Sequence, residues 1–385
     1  MLKWPDNALL DDEQRAFAEK VLAFARRDIA PLAPEADESF HLEPEVFRRL
    51  ASFGLFRHVV PVEYGGEGVS SVRICLVREL LSSVCSHADI LFAEQGLGSY
   101  PIVSSAGEEL KRKYLPPVAT GEAIAALGMT EPLAGSDVGG ITTTARREGD
   151  HYVLNGDKLF ITNAGDATQY VVLAKTEPDA GAKGISAFVV EAGAPGLEAV
   201  GGLEMLCPHP IGSMHFRDCR VPVANRIGEE GEGFRISMRN LDVYRTSVGA
   251  AACGLGRAAL DEALAFTKER QAFGQAVADF QATQFKLADM ATALEAARLL
   301  VYSAAVQRDR GVQPVTVAAS MAKLFATEAA FRIADDSLQL HGGHGLVKGR
   351  AIDRIFRQSR GPRIYEGTSE IQRLVIGRDL VRDRL

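Results

Sequence analysis

From residue 8 to about 118, apolar positions recur at the three- and four-residue spacing of amphipathic helices, broken by "PLAP" (31 to 34) and the turn "EYGGEG" (63 to 68). The pattern closes at "LPPVATGE". Short runs rich in β-branched and aromatic residues follow, "HYVLNGDKLFIT", "QYVVLAKT", "ISAFVVE" and "SMHFRDCRVP", and they predict strands over roughly 119 to 228. Asn155-Gly156, between alternating residues, predicts a two-residue hairpin because both turn positions favour positive φ. After "GEEGEGF" the helical period returns. Leu287, Met290, Leu294, Ala297 and Val301 fall at 3,4 spacing, as do Met321 and Leu324 and, further on, Phe331, Ala334 and Leu338. Long helices sharing a buried seam, arranged as a bundle, account for this most economically. The predicted class is α+β multidomain: an α-helical domain (1 to 118), a β domain (119 to 228) and a C-terminal helical bundle (229 to 385).

Composition narrows the function. A chain of 385 residues exceeds one minimal core, and 46% hydrophobic with 24% charged residues is an ordinary balance for a folded protein. A net charge of -7 argues against a general nucleic-acid binder, which needs a basic footprint for phosphates. Lys348 to Arg384 carries 10 Lys/Arg against 5 Asp/Glu, read as a solvated or subunit-facing surface, with phosphate contact the lesser alternative. The five scattered cysteines include no C-x-x-C pair, which fits a reducing, cytoplasmic compartment. No uncharged apolar run reaches the ~18 residues that a membrane span needs, and the amino terminus has acids where a signal peptide would be apolar.

Several motifs could carry chemistry, and each has a plain structural reading beside it. "GMTEPLAGSD" (128 to 137) lets backbone approach a ligand while Thr130 and Ser136 present hydroxyls; taken alone it is a turn. "FITNAG" (160 to 165) brings an aromatic and Thr162 to a strand end, where a flat ring could meet a donor; in isolation a core Phe with a strand Thr is favoured. "KERQAFGQ" (268 to 275) sets Arg270 and Phe273 near a helix break at Gly274, a pairing suited to a diphosphate and a flat base, or to an ordinary surface. "QLHGGHG" (339 to 345) has glycines that free backbone N–H groups for an anion, and its two histidines lack further ligands at metal spacing. "GLGRAA" (254 to 259) matches a loose dinucleotide pattern, but no strand feeds it, so close helix packing is the better account. In "IYEGTSEIQR" (364 to 373), Ser369 and Gln372 have capping-box spacing, which predicts a helix from about Glu370 with Glu366 just outside its end. By itself Glu366 is a solvated turn residue.

Together and in this order, "TEPLAGSD", "FITNAG", "RQAFG", "LADMATALEAARLL", "LHGGHG" and "IYEGTSEIQRLVIGR" resemble the acyl-CoA dehydrogenase family of flavoproteins over nearly the whole chain. The resemblance implies an N-terminal α-helical domain, a middle β-barrel and a C-terminal four-helix bundle. It implies FAD held by Leu127, Met129, Thr130, Gly135, Ser136, Phe160, Ile161 and Thr162, with Thr162 near the reactive edge of the flavin. Arg270 and Phe273, with Gln339, Leu340, His341, Gly342 and Gly343 as a loop, match positions that reach the cofactor of a neighbouring subunit, and Ala272, Phe280 and Gln281 match further cofactor-binding positions. Thr368 and Glu370 flank the ring or its pyrophosphate, and Ser136, Asp242, Arg245 and Gly367 match positions that contact acyl-CoA. A homotetramer, a dimer of dimers, and an electron-transfer flavoprotein as acceptor follow by the same resemblance.

Glu366 matches the family's catalytic base, which removes the thioester α-proton as the β-hydrogen leaves as hydride to the flavin, giving the trans-2-enoyl-CoA. Tyr244 occupies the position where some branches place the base, which leaves Glu366 as the matching carboxylate. Phe160 stands where many members have Trp, and "EMLCPHPIGSMHF" replaces a Ser/Thr-rich segment with Cys207, His209 and two prolines. A bulky Tyr244 suggests a short, branched or cyclic acyl group. These residues leave open a flavin oxidase or monooxygenase on the same scaffold, a carrier-protein-bound acyl substrate, and a non-catalytic protein that keeps the fold.

Overall fold

Helices come first and last along the chain in the computed structural model, which describes residues 4 to 382. In order they are α1 (Asp12–Phe24), α2 (Ala33–Ala36), α3 (Pro44–Phe53), α4 (Ser71–Ser82), α5 (Ser86–Ser105) and α6 (Glu108–Thr120). Strands follow: β1 (Ala125–Gly128), β2 (Thr144–Glu148), β3 (His151–Thr162), β4 (Gln169–Lys175), β5 (Ile185–Glu191), β6 (Leu197–Val200), β7 (Ile211–Pro222) and β8 (Arg226–Ile227). Then come α7 (Gly233–Glu269), the short β9 (Gln271–Ala272) and β10 (Gln275–Ala276), α8 (Gln281–Asp309), α9 (Thr316–His341), α10 (Ala351–Arg360) and α11 (Ser369–Val381). The chain gathers into two compact units, one made of residues up to Glu38, Ser71–Asp89 and Asp242 onward, the other of Ser39–Ser70 and Ile90–Leu241.

In the second unit the strands form one sheet in the order β6-β7-β3-β2-β4-β5-β8, with β1 joined in parallel to β4. Their inward side chains, among them Leu154, Tyr170, Phe188, Met214 and Phe216, meet in a single apolar core. The hairpin between β2 and β3 does not turn at Asn155-Gly156. It turns at Gly149-Asp150, where Glu148 pairs with His151 and Gly149 has φ 63°. Asn155-Gly156 stays inside β3, at a slip in its register with β7. A Cβ on Gly156 would lie 2.5 Å from Thr143 Oγ1, so this glycine permits a close approach and no reversal. One other expected break is helical, since the chain keeps helical turns of changing pitch through "PLAP"; the close within "LPPVATGE" is present, with α6 running across Pro116 and Pro117 to end at Thr120.

In the first unit the expected seam on α8 is present from Met290 on, with Met290, Leu294, Ala297 and Val301 buried and Leu287 half-buried. On α9 it is displaced. The buried face there is Ala319, Ala322, Ala326, Ala330, Ile333 and Ala334, while Met321, Leu324, Phe331 and Leu338 are half-buried beside it. Small residues let the helices approach closely, which a pattern of large apolar residues does not signal. The same holds for "GLGRAA": it lies within α7, where a Cβ on Gly254 would sit 2.1 Å from the Glu79 carbonyl oxygen on α4.

Candidate active site

Glu366 sits in a turn between a 3-10 helix at Gly361–Arg363 and α11, and its backbone is left-handed at φ 51°. Such a conformation is uncommon for a residue with a side chain and persists where the surroundings enforce it. The cap of α11 is Thr368, whose hydroxyl accepts the Ile371 N–H at 3.3 Å; the expected Ser369–Gln372 capping box does not form. The helix starts one residue earlier than that box requires, which frees both side chains for other bonds. Ser369 donates to Glu328 Oε1 at 2.6 Å, and Gln372 Nε2 donates to the Gly367 carbonyl at 2.8 Å. The buried Lys323 of α9 donates to that same carbonyl at 2.7 Å.

The Glu366 side chain is only 11% exposed and faces three cations. Arg78 Nη1 of α4 lies 3.9 Å from its Oε1, and Lys323 and Arg245 add their charge from α9 and α7. Burial raises the carboxyl pKa, and the three cations oppose that rise without cancelling it. Lys323 is pulled down to about 8, chiefly by desolvation. Arg78 is clamped by Asp89, through Nε at 2.9 Å and Nη2 at 3.1 Å, and by Ser247 Oγ at 2.9 Å from Nη1. Arg245 stands beside the turn, its Nη2 3.8 Å from where a Gly367 Cβ would be, and its Nη1 lies 3.7 Å from Asp242. Glu366 Oε2, Arg245 Nε and Gln372 Oε1 are buried with no hydrogen-bond partner among the described residues. Unpartnered polar atoms on residues gathered at one turn are the mark of a place made for a polar ligand.

A second set of predicted residues meets in the other unit. Leu127 N donates to Glu94 Oε1 at 2.7 Å, and the Thr130 carbonyl accepts the Leu159 N–H at 3.0 Å. A buried ion pair ties this segment to the end of β3: Lys158 Nζ reaches Glu131 Oε1 at 2.8 Å and the Met129 carbonyl at 3.2 Å. Desolvation would raise Glu131, but Lys158 and the donors of Thr142 and Thr143 outweigh it and hold its pKa at about 2. From this anchored platform Phe160, at φ 59°, projects with 51% of its surface exposed. Ile161 is buried beneath, and Thr162 Oγ1 lies 3.0 Å from His209 Nε2. Gly135 and Ser136 are exposed beyond the Glu131–Ala134 turn.

A third set lies at the end of α7. The helix ends at Glu269, and Phe273-Gly274 form the turn of the β9–β10 hairpin with φ 50° and 82°, in place of the expected helix break at Gly274. Phe273 is 97% exposed and meets Phe280 edge-on, with Gln281 opening α8, while Arg270 and half-buried Ala272 flank the turn. Gln339, Leu340 and His341 are the last turn of α9 and not a loop; Gly342, at φ 55°, begins the 3-10 turn that follows, and Gly343 has open space at its Cβ. His341 is buried there, stacked on Phe266 at 4.4 Å. Thr368 is the α11 cap, and Glu370 is exposed in its first turn.

Three family models match in succession: the acyl-CoA dehydrogenase N-terminal domain over residues 11 to 122, the middle domain over 126 to 219 and the C-terminal domain over 231 to 381. The chain belongs to the acyl-CoA dehydrogenase family. It is 40% identical to the probable acyl-CoA dehydrogenase FadE25 of Mycobacterium tuberculosis, over 99% of this chain and 100% of that protein. It is also similar to the solved butyryl-CoA dehydrogenase of Megasphaera elsdenii, with a TM-score of 0.93, 36% identity, and 97% of this chain and 99% of that one covered. A structure of PigA with FAD and proline aligns with a TM-score of 0.92 and 31% identity, over 98% of this chain and 99% of that one.

The acyl-CoA dehydrogenase fold, with helical, β-sheet and helical domains in that order, is thereby established, as is a flavin-dependent oxidoreductase using FAD. The residues fit that cofactor. An exposed aromatic in a left-handed conformation beside a half-buried Thr162 hydroxyl offers one face and one polar atom to a flat ring, on a segment tied down by the Glu131–Lys158 pair. Sequence reading missed Arg78, Asp89, Lys323, Glu131 and Lys158. The signal was present as charges inside otherwise apolar stretches, such as "CLVRELL" and "SMAKLFA". A charge at a buried position has a partner or a purpose.

Proposed function

We propose that the chain oxidises a short acyl-CoA to its trans-2-enoyl-CoA, with Glu366 removing the α-proton. The buried Glu366 carboxyl carries this reading, because it has one oxygen without a hydrogen-bond partner among the described residues. Such an oxygen can take a proton without first breaking a bond. Desolvation favours the neutral acid once the proton has arrived, and Arg78, Lys323 and Arg245 favour the carboxylate before it. The Glu366 N–H, in its left-handed turn, donates to the thioester oxygen as that atom gains charge. Asp242 and Arg245 hold the acyl-CoA at the turn, and Phe160 and Thr162 orient the flavin. Bound FAD supplies the acceptance of the β-hydrogen as hydride.

The reading of a small acyl group rests on Tyr244, a bulky residue that is fully buried on α7 between Asp242 and Arg245 in sequence. The similar Megasphaera protein acts on butyryl-CoA. The electrons pass to an electron-transfer flavoprotein. Exposed apolar residues on α8, Phe285, Leu299 and Leu300, with the turn residue Phe273, support burial against further copies of the chain in a homotetramer. No helix among the described residues is long and apolar enough to cross a membrane.

The test is anaerobic mixing of the yellow protein with a panel of acyl-CoAs, read by bleaching of the flavin. Short acyl-CoAs bleach the parent, and Glu366→Gln does not respond. Bleaching of Glu366→Gln at the parent rate overturns the assignment of the base, and a highest specificity constant for a long straight chain overturns the substrate class.

A further inference from the structure

Arg78 has unusual surroundings for a cation near a reactive carboxylate. It is 1% exposed on α4, and its guanidinium is bound on two sides. Asp89 takes Nε and Nη2 as a fork, while Nη1 donates to Ser247 Oγ. The Ser247 hydroxyl itself donates to the Tyr244 carbonyl at 2.8 Å, so its oxygen faces Arg78 as an acceptor. Three bonds from α5 and α7 therefore set the plane of the guanidinium, and Nη1 comes to rest 3.9 Å from Glu366 Oε1.

That distance decides what Arg78 can do. It is short enough for strong attraction across a buried gap and too long for a hydrogen bond. A direct fork onto Glu366 would occupy the carboxylate and make it a weak base. Asp89 prevents this by taking the fork for itself. Of the other charges near Glu366, Lys323 of α9 donates to the Gly367 carbonyl, while Arg245 of α7 lies 3.7 Å from Asp242 and keeps its Nε without a partner among the described residues. Tyr365 lies beside the base in sequence and faces Arg78.

We propose that Arg78, clamped by Asp89 and Ser247, is a positioning residue that favours the ionised form of Glu366 without bonding to it, and that Asp89 limits the strength of that field. The inference rests on the reading of Glu366 as the base. It assigns a task to a buried ion pair that packing alone does not require, since a charge pair out of water is no better for stability than apolar residues of the same volume.

The test needs no substrate. In the FAD-loaded protein, infrared difference spectra against Glu366→Gln isolate the carboxylic-acid band of Glu366, and its pH titration gives the midpoint of ionisation. The double variant Arg78→Gln/Asp89→Asn, which removes both charges and keeps polar groups in place, is expected to raise that midpoint by about one pH unit, a tenfold change in the ionisation ratio. Arg78→Lys, which keeps the charge and loses the fork, gives a smaller rise. Asp89→Asn alone, which leaves the cation unopposed, lowers the midpoint, and this variant carries the test if the double variant does not fold. A midpoint equal to the parent's in Asp89→Asn and in any folded double variant overturns the proposal. Flavin bleaching separates the two levels: a Glu366→Gln variant that bleaches normally defeats the base assignment itself, whereas a dead Glu366→Gln with an unmoved midpoint defeats the role of Arg78 alone.

Discussion

Lys323 Nζ donates to the Gly367 carbonyl at 2.7 Å, so an ammonium buried on α9 holds the turn that carries Glu366. Gln372 reaches the same oxygen from α11, but its amide carries no charge. Lys323→Met keeps the length and apolar stem while removing donor and cation. Substrate-driven flavin bleaching is expected to slow roughly 10- to 100-fold with FAD content unchanged, since a small displacement of the base costs that much. The pH dependence of stability gives an independent check. Burial holds Lys323 at about 8 in the folded state, below its ordinary value. The unfolded chain then binds more protons between about 8 and the ordinary lysine value, so stability from this group rises with pH across that window. In thermal melts, Lys323→Met loses that rise relative to the parent.

The pair Glu131–Lys158 bears on the cofactor in the same way. Lys158→Met leaves the Met129 carbonyl and a buried Glu131 short of a donor, which costs about 1–3 kcal/mol. Felt wholly in the 127–131 segment, that is roughly a 5- to 150-fold loss of FAD affinity, measured by fluorescence during reconstitution of the apoprotein. Unchanged affinity would show that the segment holds its shape without the pair. In the parent, Glu131, held at about 2, contributes stability that is full above its ordinary value and lost as pH falls toward 2.

The succession of helices, strands and helices was legible because it rests on periodicity, which local sequence carries. The α8 seam was legible for the same reason. The α9 seam was not, because alanines do the burying there and a scan for large apolar residues settles on the flank. Asn155-Gly156 misled because its local preference for a turn yields to the pairing of β3 with β7, while Gly149-Asp150 supplies the reversal. At the turn, Ser369 and Gln372 have the spacing of a capping box, yet bonds to Glu328 and Gly367 engage both. Glu366 was singled out from its motif alone. The charges around it could not be, since Arg78, Asp89, Arg245 and Lys323 come from four helices whose meeting no local pattern records.

His209 accounts for part of the unusual segment Cys207–Pro210. It lies 3.0 Å from Thr162 Oγ1, and burial lowers its pKa to about 4, so it is neutral at ordinary pH. A neutral imidazole can donate to or accept from the hydroxyl according to its tautomer. His209→Ala removes that partner and is expected to shift the visible absorption band of the bound flavin and its midpoint potential, while the protein still retains FAD. The unfolded chain protonates its imidazole near the ordinary histidine value and the folded protein does not. Stability from this group is therefore lost as pH falls from there toward 4, and His209→Ala should melt with a weaker dependence on acid. An unshifted flavin spectrum and potential would confine His209 to packing.

Glu79 and Arg298 form another buried ion pair, and it tests whether every buried charge here serves catalysis. Arg298 Nε donates to Glu79 Oε1 at 2.7 Å, and Tyr302 and Trp4 also donate to this carboxylate. Arg298 further binds the carbonyls of Pro5 and Asp6, so the pair joins α4 and α8 to the chain ahead of α1. Arg298→Met fills the same space and strands Glu79 in a dry site, which is expected to destabilise the fold by about 3–5 kcal/mol. Glu79→Gln/Arg298→Met, which strands no charge, recovers most of that loss. Thermal and denaturant unfolding measure both. The ionisation midpoint of Glu366 should be unmoved in either variant, in contrast to the variants at Arg78 and Asp89. A shift of that midpoint in the Arg298 variants would mean that the field at the base is set by the whole charged interior of the helices and not by the Arg78 clamp.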